Sequence, residues 1–247
     1  MQLALYSDCL QSFRLAAQGK SAGRQPPDEL RERINTYFDP LPFWYPPLEE
    51  SATDLEAFPL NAITQRPMAM YHSWDSQNAW LRQIHSHNYL HVNPLTAQAA
   101  GIADGGWCWV ESQWGQVRCM LRYSEAVEPG TVWTWNAIGK ADGAWQLAPG
   151  ADEARKGFVL NHLISDELPF PLRKRGANAG KTDGGKTISN SDPVTGQAGW
   201  YDVRVRIRPA APEEPQQTSP QIASVPAAPG VLGKAARVLT YFAGRKK

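Results

Sequence analysis

The chain is 247 residues long, with 42% apolar residues, 20% charged residues and a net charge of +1. Those values suit a globular core and give no electrostatic case for a nucleic-acid partner. Its three cysteines, Cys9, Cys108 and Cys119, are an odd, scattered set without C-x-x-C spacing, which excludes a disulfide framework, a zinc ribbon or an iron–sulfur cluster built from this chain alone and favours a reducing compartment.

In chain order, MQLALYSDCLQSFRLAAQGK shows neither a basic region ahead of an apolar stretch nor a small-residue cleavage site, and does not read as a signal peptide. Within it, residues 3–6 suit a short strand and residues 8–17 a short helix. DPLPFWYPPLEES reads as extended, because each proline fixes its own φ and restrains the residue before it. Residues 1–57 therefore read as the remnant of a preceding domain followed by an extended linker.

From 58 to 208 the pattern becomes regular. FPLNAIT suits a buried strand running into a loop. Residues 73–84 are expected to form a helix, capped by Ser73 or Asp75, with Trp80, Leu81 and Ile84 as its apolar side. LHVN is a short strand. Asn93 then caps a helix with Pro94 at its first position, and Gly101 stands where a left-handed residue is wanted. An Asp104-Gly105-Gly106 turn leads into WCWVESQ and, past Trp114-Gly115, QVRCMLRY. This is a hairpin with Val117, Cys119 and Leu121 on one side and Arg118, Met120 and Arg122 on the other. Pro129-Gly130 starts TVWTW, and Val203, Val205 and Ile207 alternate with Asp202, Arg204, Arg206 and Arg208 in a half-buried strand. Short strands with a few helices between them favour a β-rich α+β domain, a compact β-barrel with helical insertions.

Residues 209–230, rich in proline, read as a semi-rigid linker. In VLGKAARVLTYFAGRKK, residues 231–247, the apolar residues share one helical face ringed by lysine and arginine. That segment suits either a solvated tail or a basic amphipathic helix docking on a partner or an acidic membrane.

GKTDGGKT, residues 180–187, matches the spacing of a phosphate-binding loop, but that loop needs a buried strand before it and a helix after it. PLRKRGANA cannot be such a strand, and Pro193 blocks a helix in ISNSDPVTG. A glycine-rich surface insertion fits better. His85, His87 and His91 straddle a helix end and a strand start, so a surface cluster fits better than converging metal ligands. No nucleophile elbow and no acid/base carboxylate pair stands out. No catalytic residue and no metal ligand is assigned.

Three segments in order carry a resemblance: FPLNAITQRPMAMYHSWDSQNAWLRQI, HVNPLTAQAAGIADGGWCWVESQWGQV, and NHLISDELP together with SNSDPVTGQAGWYDVRVRI. Together they resemble the C-terminal, molybdopterin-dinucleotide-binding domain of the dimethyl-sulfoxide-reductase family of molybdenum oxidoreductases. The wording is nearest the branch of polysulfide and thiosulfate reductases and sulfite dehydrogenases. The resemblance implies a six-stranded double-psi β-barrel closing over a bis(molybdopterin guanine dinucleotide) cofactor. It implies cofactor-binding roles for Thr64, Arg66, Tyr71, His72, Ser73, Asn78, Asn161 and Gln197.

Family members also carry an N-terminal cysteine cluster for an iron–sulfur centre and a molybdenum ligand, and neither region is present in these 247 residues. The expectation is therefore a C-terminal fragment or split subunit, not catalytic alone, whose Met1 is an internal methionine in the family's frame. Its chemistry would be sulfur-compound redox. Its partners would be the remainder of the catalytic subunit, a membrane anchor subunit and an iron–sulfur electron-transfer subunit, with no nucleic acid. Its placement would be cytoplasmic, with membrane association only through partners. The rival reading is a non-catalytic barrel that serves as a scaffold or interaction module.

Overall fold

The computed structural model describes residues 7–42, 44, 47–71, 75, 78–136, 156–158, 160–169, 187–199, 203–211 and 213–214. Its strands are β1 (Leu60–Gln65), β2 (Tyr89–Val92), β3 (Trp107–Glu111), β4 (Gln116–Tyr123), β5 (Thr131–Trp135), β6 (Glu167–Pro169), β7 (Thr187–Ser189) and β8 (Val203–Pro209). Six of them close a barrel in the order β1-β5-β2-β4-β3-β8, and β6 and β7 form a separate two-stranded sheet. β1 with β5 and β2 with β4 are parallel pairs. The other four pairings are antiparallel. The six-stranded barrel that the resemblance implies is present, and its pairings are mixed.

Alternation explains why these segments close. Leu90, Val92, Cys108, Val110, Val117, Cys119, Leu121, Val132, Val203 and Val205 point inward and form one buried cluster. Each such aliphatic side chain contributes about 1.5–3 kcal/mol by leaving water. Tyr89, His91, Trp133 and Trp135 alternate with them on the outer surface, where the His91 and Trp133 rings stack at 3.9 Å and Trp133 meets Trp135 edge-on.

Strand direction decides what meets where. Because β1 and β5 run together and β2 and β4 run against them, one end of the barrel collects the C-terminal ends of β1, β3 and β5. The same end collects the N-terminal ends of β2, β4 and β8. Both long connections, 66–88 and 136–202, start and finish there, and so does the β3–β4 turn. At the opposite end Asn93 caps α5 (the fifth helix, Pro94–Ala99), accepting from Leu95 N and donating to Val127 O at 2.7 Å. Gly101 closes that helix at φ +72, a conformation that suits glycine.

The other helices are α1 (Ser7–Ala17), α2 (Asp28–Tyr37), α3 (Leu48–Ala52) and α4 (Leu81–Ile84). Several expectations are corrected. LEES is not extended: Pro47 stands at the N-cap of α3, and the helix buries Leu48 and Ala52 against Leu168. The helix expected over 73–84 is described only as α4. Asp75 is not its cap, since its carboxylate accepts instead from Tyr71 N, and Trp80 and Ile84 are exposed rather than packed. β1 is not a buried strand: one face is half-buried and the other exposed. Arg118, on the outer side of β4, is nevertheless 2% exposed, with its guanidinium 3.9 Å from the centre of the Trp107 ring. The strand expected at residues 3–6, the linker beyond residue 214 and the C-terminal helix lie outside the described residues. After the glycine-rich segment comes strand β7, not a helix, so a phosphate-binding loop has no helix to cap. Among the described residues no helix is long and apolar enough to cross a membrane.

Candidate functional site

At the end of the barrel where both long connections meet, one asparagine organises the strand tips. Asn88, just before β2 and 3% exposed, donates to Trp135 O at 2.9 Å and accepts from Thr134 Oγ1 at 2.9 Å and Trp135 N at 3.3 Å. Its own N–H donates to Lys156 O at 2.7 Å, and Asn136 N donates to Gln65 O at 2.7 Å. Thr64 lies opposite Thr134 in the β1–β5 register.

The predicted residues fall on the two connections at this end. Thr64 is near the tip of β1 and Arg66 follows it closely, exposed. Tyr71 is 67% exposed. The Asn78 side-chain carbonyl accepts from Trp80 N and Leu81 N at 3.0 and 3.4 Å, so it helps start α4. Asn161 is exposed on the 3₁₀ turn Leu160–Leu163, and Gln197 is exposed in the loop after β7. His72 and Ser73 lie outside the described residues.

The second connection is braced by its neighbours. Ser112 Oγ donates to Leu163 O at 2.8 Å. A Cβ on Gly115 would lie 2.1 Å from His162 O, so only glycine allows the hairpin to approach this turn so closely. Asn190 ties the loop that carries Gln197 to the turn that carries Asn161. Its side chain donates to Ser165 O at 2.9 Å, its N–H to Asp166 O at 2.8 Å, and its backbone carbonyl accepts from Gly199 N at 3.1 Å.

Four buried side-chain atoms on these elements, Thr64 Oγ1, Asn136 Oδ1, His162 Nδ1 and Asn190 Oδ1, make no hydrogen bond. A buried polar atom left unsatisfied costs about 1–3 kcal/mol, so each of the four calls for a partner; Gln25 Oε1 and Asn35 Oδ1, in the N-terminal helical segment, are unsatisfied as well. His85, His87 and His91 each meet a different aromatic ring, Trp135, Tyr89 and Trp133. Among the described residues no group of histidine, cysteine or acidic side chains could hold a metal ion. Burial, and then the charge of Arg122, push the His91 pKa down. Burial raises the Glu111 carboxyl, but hydrogen bonds from Arg208 and Arg206, both 2.7 Å, outweigh it and leave its pKa below the usual range.

Residues 60–171, from β1 past β6, match the family model described as "Molydopterin dinucleotide binding domain". A sulfite dehydrogenase subunit of Allochromatium vinosum is 63% identical to this chain over 242 residues, 98% of this chain and 24% of that protein. The chain carries a molybdopterin dinucleotide-binding domain of that family. A dopamine dehydroxylase of Eggerthella lenta is 28% identical over 128 residues, 49% of this chain and 12% of that protein. The solved acetylene hydratase from Pelobacter acetylenicus superposes with a TM-score of 0.48 at 22% identity, covering 71% of this chain and 22% of that one. The chain thus spans about a quarter of the length of the sulfite dehydrogenase relative.

The residues at this end fit a group of that kind. Molybdopterin dinucleotides present heterocyclic edges, which pair with amide, hydroxyl and imidazole atoms, and a pyrophosphate, which pairs with guanidinium. Thr64 Oγ1, Asn136 Oδ1 and His162 Nδ1 would offer the first set, and exposed Arg66 the second. Asn88, Thr134 and Asn136 escaped the sequence reading, because no motif marks them and their partners lie far along the chain.

Proposed function

We propose that the end of the barrel bearing the 66–88 and 136–202 connections holds a bis(molybdopterin guanine dinucleotide) cofactor, as the C-terminal part of a molybdenum oxidoreductase acting on a sulfur compound. Thr64, Tyr71, Asn78, Asn161 and Gln197 would offer hydrogen bonds to heterocycle and ribose, and Arg66 would pair with a phosphate. When bound, the cofactor supplies two-electron transfer at molybdenum, and this chain contributes orientation, charge complementarity and exclusion of water. The observation that carries the reading is the meeting of both connections at one barrel end, where four buried polar atoms have no partner.

The sulfur-compound assignment rests on the 63% identity to the sulfite dehydrogenase relative. An iron–sulfur cluster and the molybdenum ligand would come from the remainder of the catalytic polypeptide. A membrane anchor and an electron-transfer subunit would complete a cytoplasmic assembly. Residues 1–57 would then be the end of a preceding domain and its linker, and residues 58–208 the cofactor-binding unit.

The test is complementation. The chain is co-expressed with the portion of the Allochromatium vinosum protein that lies outside the match, in a host that makes the guanine dinucleotide form. Molybdenum and acid-released GMP are then measured in the purified complex. The reading expects a stable complex with twice as much GMP as molybdenum. A complex free of both, or no complex, would favour a scaffold barrel instead.

A further inference from the structure

Glu49 is a carboxylate that is 1% exposed, yet it lies outside the 60–171 segment that matches the family. It sits on α3, with Trp114 Nε1 donating to Oε1 and Asn190 Nδ2 donating to Oε2 at 3.1 Å. Trp114 belongs to the β3–β4 turn. There Trp114 N and Gly115 N donate to Ser112 Oγ at 3.1 and 3.3 Å, and that hydroxyl donates in turn to Leu163 O. Asn190 fastens the loop 189–199 to Ser165 and Asp166. One side chain therefore touches two of the pieces that fix where the turn bearing Asn161 and the loop bearing Gln197 stand. The backbone carbonyl of Glu49 accepts from Thr53 Oγ1 at 2.8 Å, and that hydroxyl accepts from Gln113 Nε2 at 2.9 Å, so the same helix also grips the hairpin directly.

Burying a carboxylate is costly unless its oxygens are hydrogen-bonded. An apolar residue would serve at this position if packing against Leu168 were the only need, as Leu48 and Ala52 do on the same helix. The two side-chain oxygens make Glu49 a hub that takes one donor from the β3–β4 turn and one from the 136–202 connection. We infer that Glu49 is a positioning residue for the proposed cofactor end: it touches no cofactor, and it sets the placement of Asn161 and Gln197 through Trp114 and Asn190. This rests on the functional reading above for its purpose, but not for its geometry.

The experiment uses the full chain with the substitutions Glu49→Gln, Asn190→Ala and the pair combined. Glu50→Gln is the control, because Glu50 lies on the same helix and pairs with Arg204 at 2.9 Å instead. Two readouts are taken: amide hydrogen exchange by segment, and affinity for GDP as the probe of the guanosine and pyrophosphate half of the cofactor. Glu49→Gln, which sets an amide donor against one of the two donors, should speed exchange about tenfold in 112–115, 160–166 and 189–199 while β2 and β5 keep wild-type protection. GDP affinity should fall about tenfold, and Asn190→Ala should add little to it, since both act through one link. Glu50→Gln should leave both readouts unchanged.

If Glu49→Gln does not fold, Trp114→Phe removes one donor and keeps an aromatic ring, and the same segments are read. Unchanged exchange in the three segments, equal loosening of the whole barrel, or additive effects of the two substitutions would overturn the inference. Should wild-type chain bind no GDP while the exchange pattern appears as expected, the functional reading fails and the positioning role stands.

Discussion

Replacing Asn88 with alanine perturbs the tips of β2 and β5 at the proposed cofactor end. Three hydrogen bonds are lost at once: to Trp135 O, from Thr134 Oγ1 and from Trp135 N. Thr134 is 1% exposed and Asn88 3%, so water cannot easily replace the amide. At about 1 kcal/mol for each bond, with a further penalty for the stranded Thr134 hydroxyl, the loss is roughly 3–4 kcal/mol. For a chain of this size that lowers Tm by about 10 °C. Asn88→Asp separates the donor from the acceptor role: it keeps acceptors for Thr134 and Trp135 N but turns a carboxylate toward Trp135 O. A buried Asp has a raised folded-state pKa, so its stabilising protonated form is present below the unfolded pKa and lost as pH rises through the folded one. Asn88→Asp should therefore be more damaging at about pH 7 than at about pH 4. Thermal melts and urea unfolding of the purified chain read both effects, with the urea slope unchanged if only stability moves. A Tm drop under about 3 °C for Asn88→Ala would show that the three bonds are solvent-exchangeable and refute the role given to Asn88.

Three other outcomes follow from buried charges and thiols. Glu111 has a depressed carboxyl pKa, so its contribution is full above the unfolded value, near 4.5, and fades as pH falls through the folded one; Glu111→Gln should be less stable than wild type at neutral pH and lose that deficit in acid melts. His91 is held neutral by burial and by Arg122, so stability should be full above its ordinary value of 6.5 and decline as pH drops below it. His91→Phe, which keeps the stack on Trp133, should flatten that slope in pH-dependent melts. Cys108 and Cys119 face each other with sulfurs 3.8 Å apart in the core, and burial pushes the Cys119 thiol up, whereas Cys9 is exposed. A thiol reagent should therefore modify one cysteine quickly in native chain and the other two only on unfolding; fast reaction of all three would contradict the packing.

The barrel was legible where alternation and turn chemistry speak together: Val117, Cys119 and Leu121 in β4, the Asn93-Pro94 start and Gly101 end of α5, and the alternating row of β8. Strand direction was not, because β1 and β5 are paired across some 70 residues and local pattern does not encode parallel registry. α3 was hidden for a related reason. It carries a buried glutamate, and the donors that permit Glu49 to be buried, Trp114 and Asn190, are 65 and 141 positions away. α2 has a short apolar row, Leu30, Ile34 and Tyr37, of which only Ile34 is buried, after a Pro27 that also reads as loop. Arg118 looked solvent-facing by alternation, and the Trp107 ring beside it is a cross-strand contact that the sequence leaves open. At the candidate site, polar residues on the connections could be named from motif, whereas Asn88 and the strand-tip atoms it organises became visible only once the barrel was closed.

The most direct test is a GDP titration of the chain by tryptophan fluorescence, comparing Arg66→Ala, Asn161→Ala and Gln197→Ala with Thr96→Ala at the opposite end of the barrel. If one end of the barrel gathers both connections around a guanine dinucleotide, wild type and Thr96→Ala should bind saturably and alike, and each of the other three should bind about tenfold more weakly, roughly 1.4 kcal/mol apiece. Absent saturation in wild type, or affinities indifferent to all three changes, would contradict it.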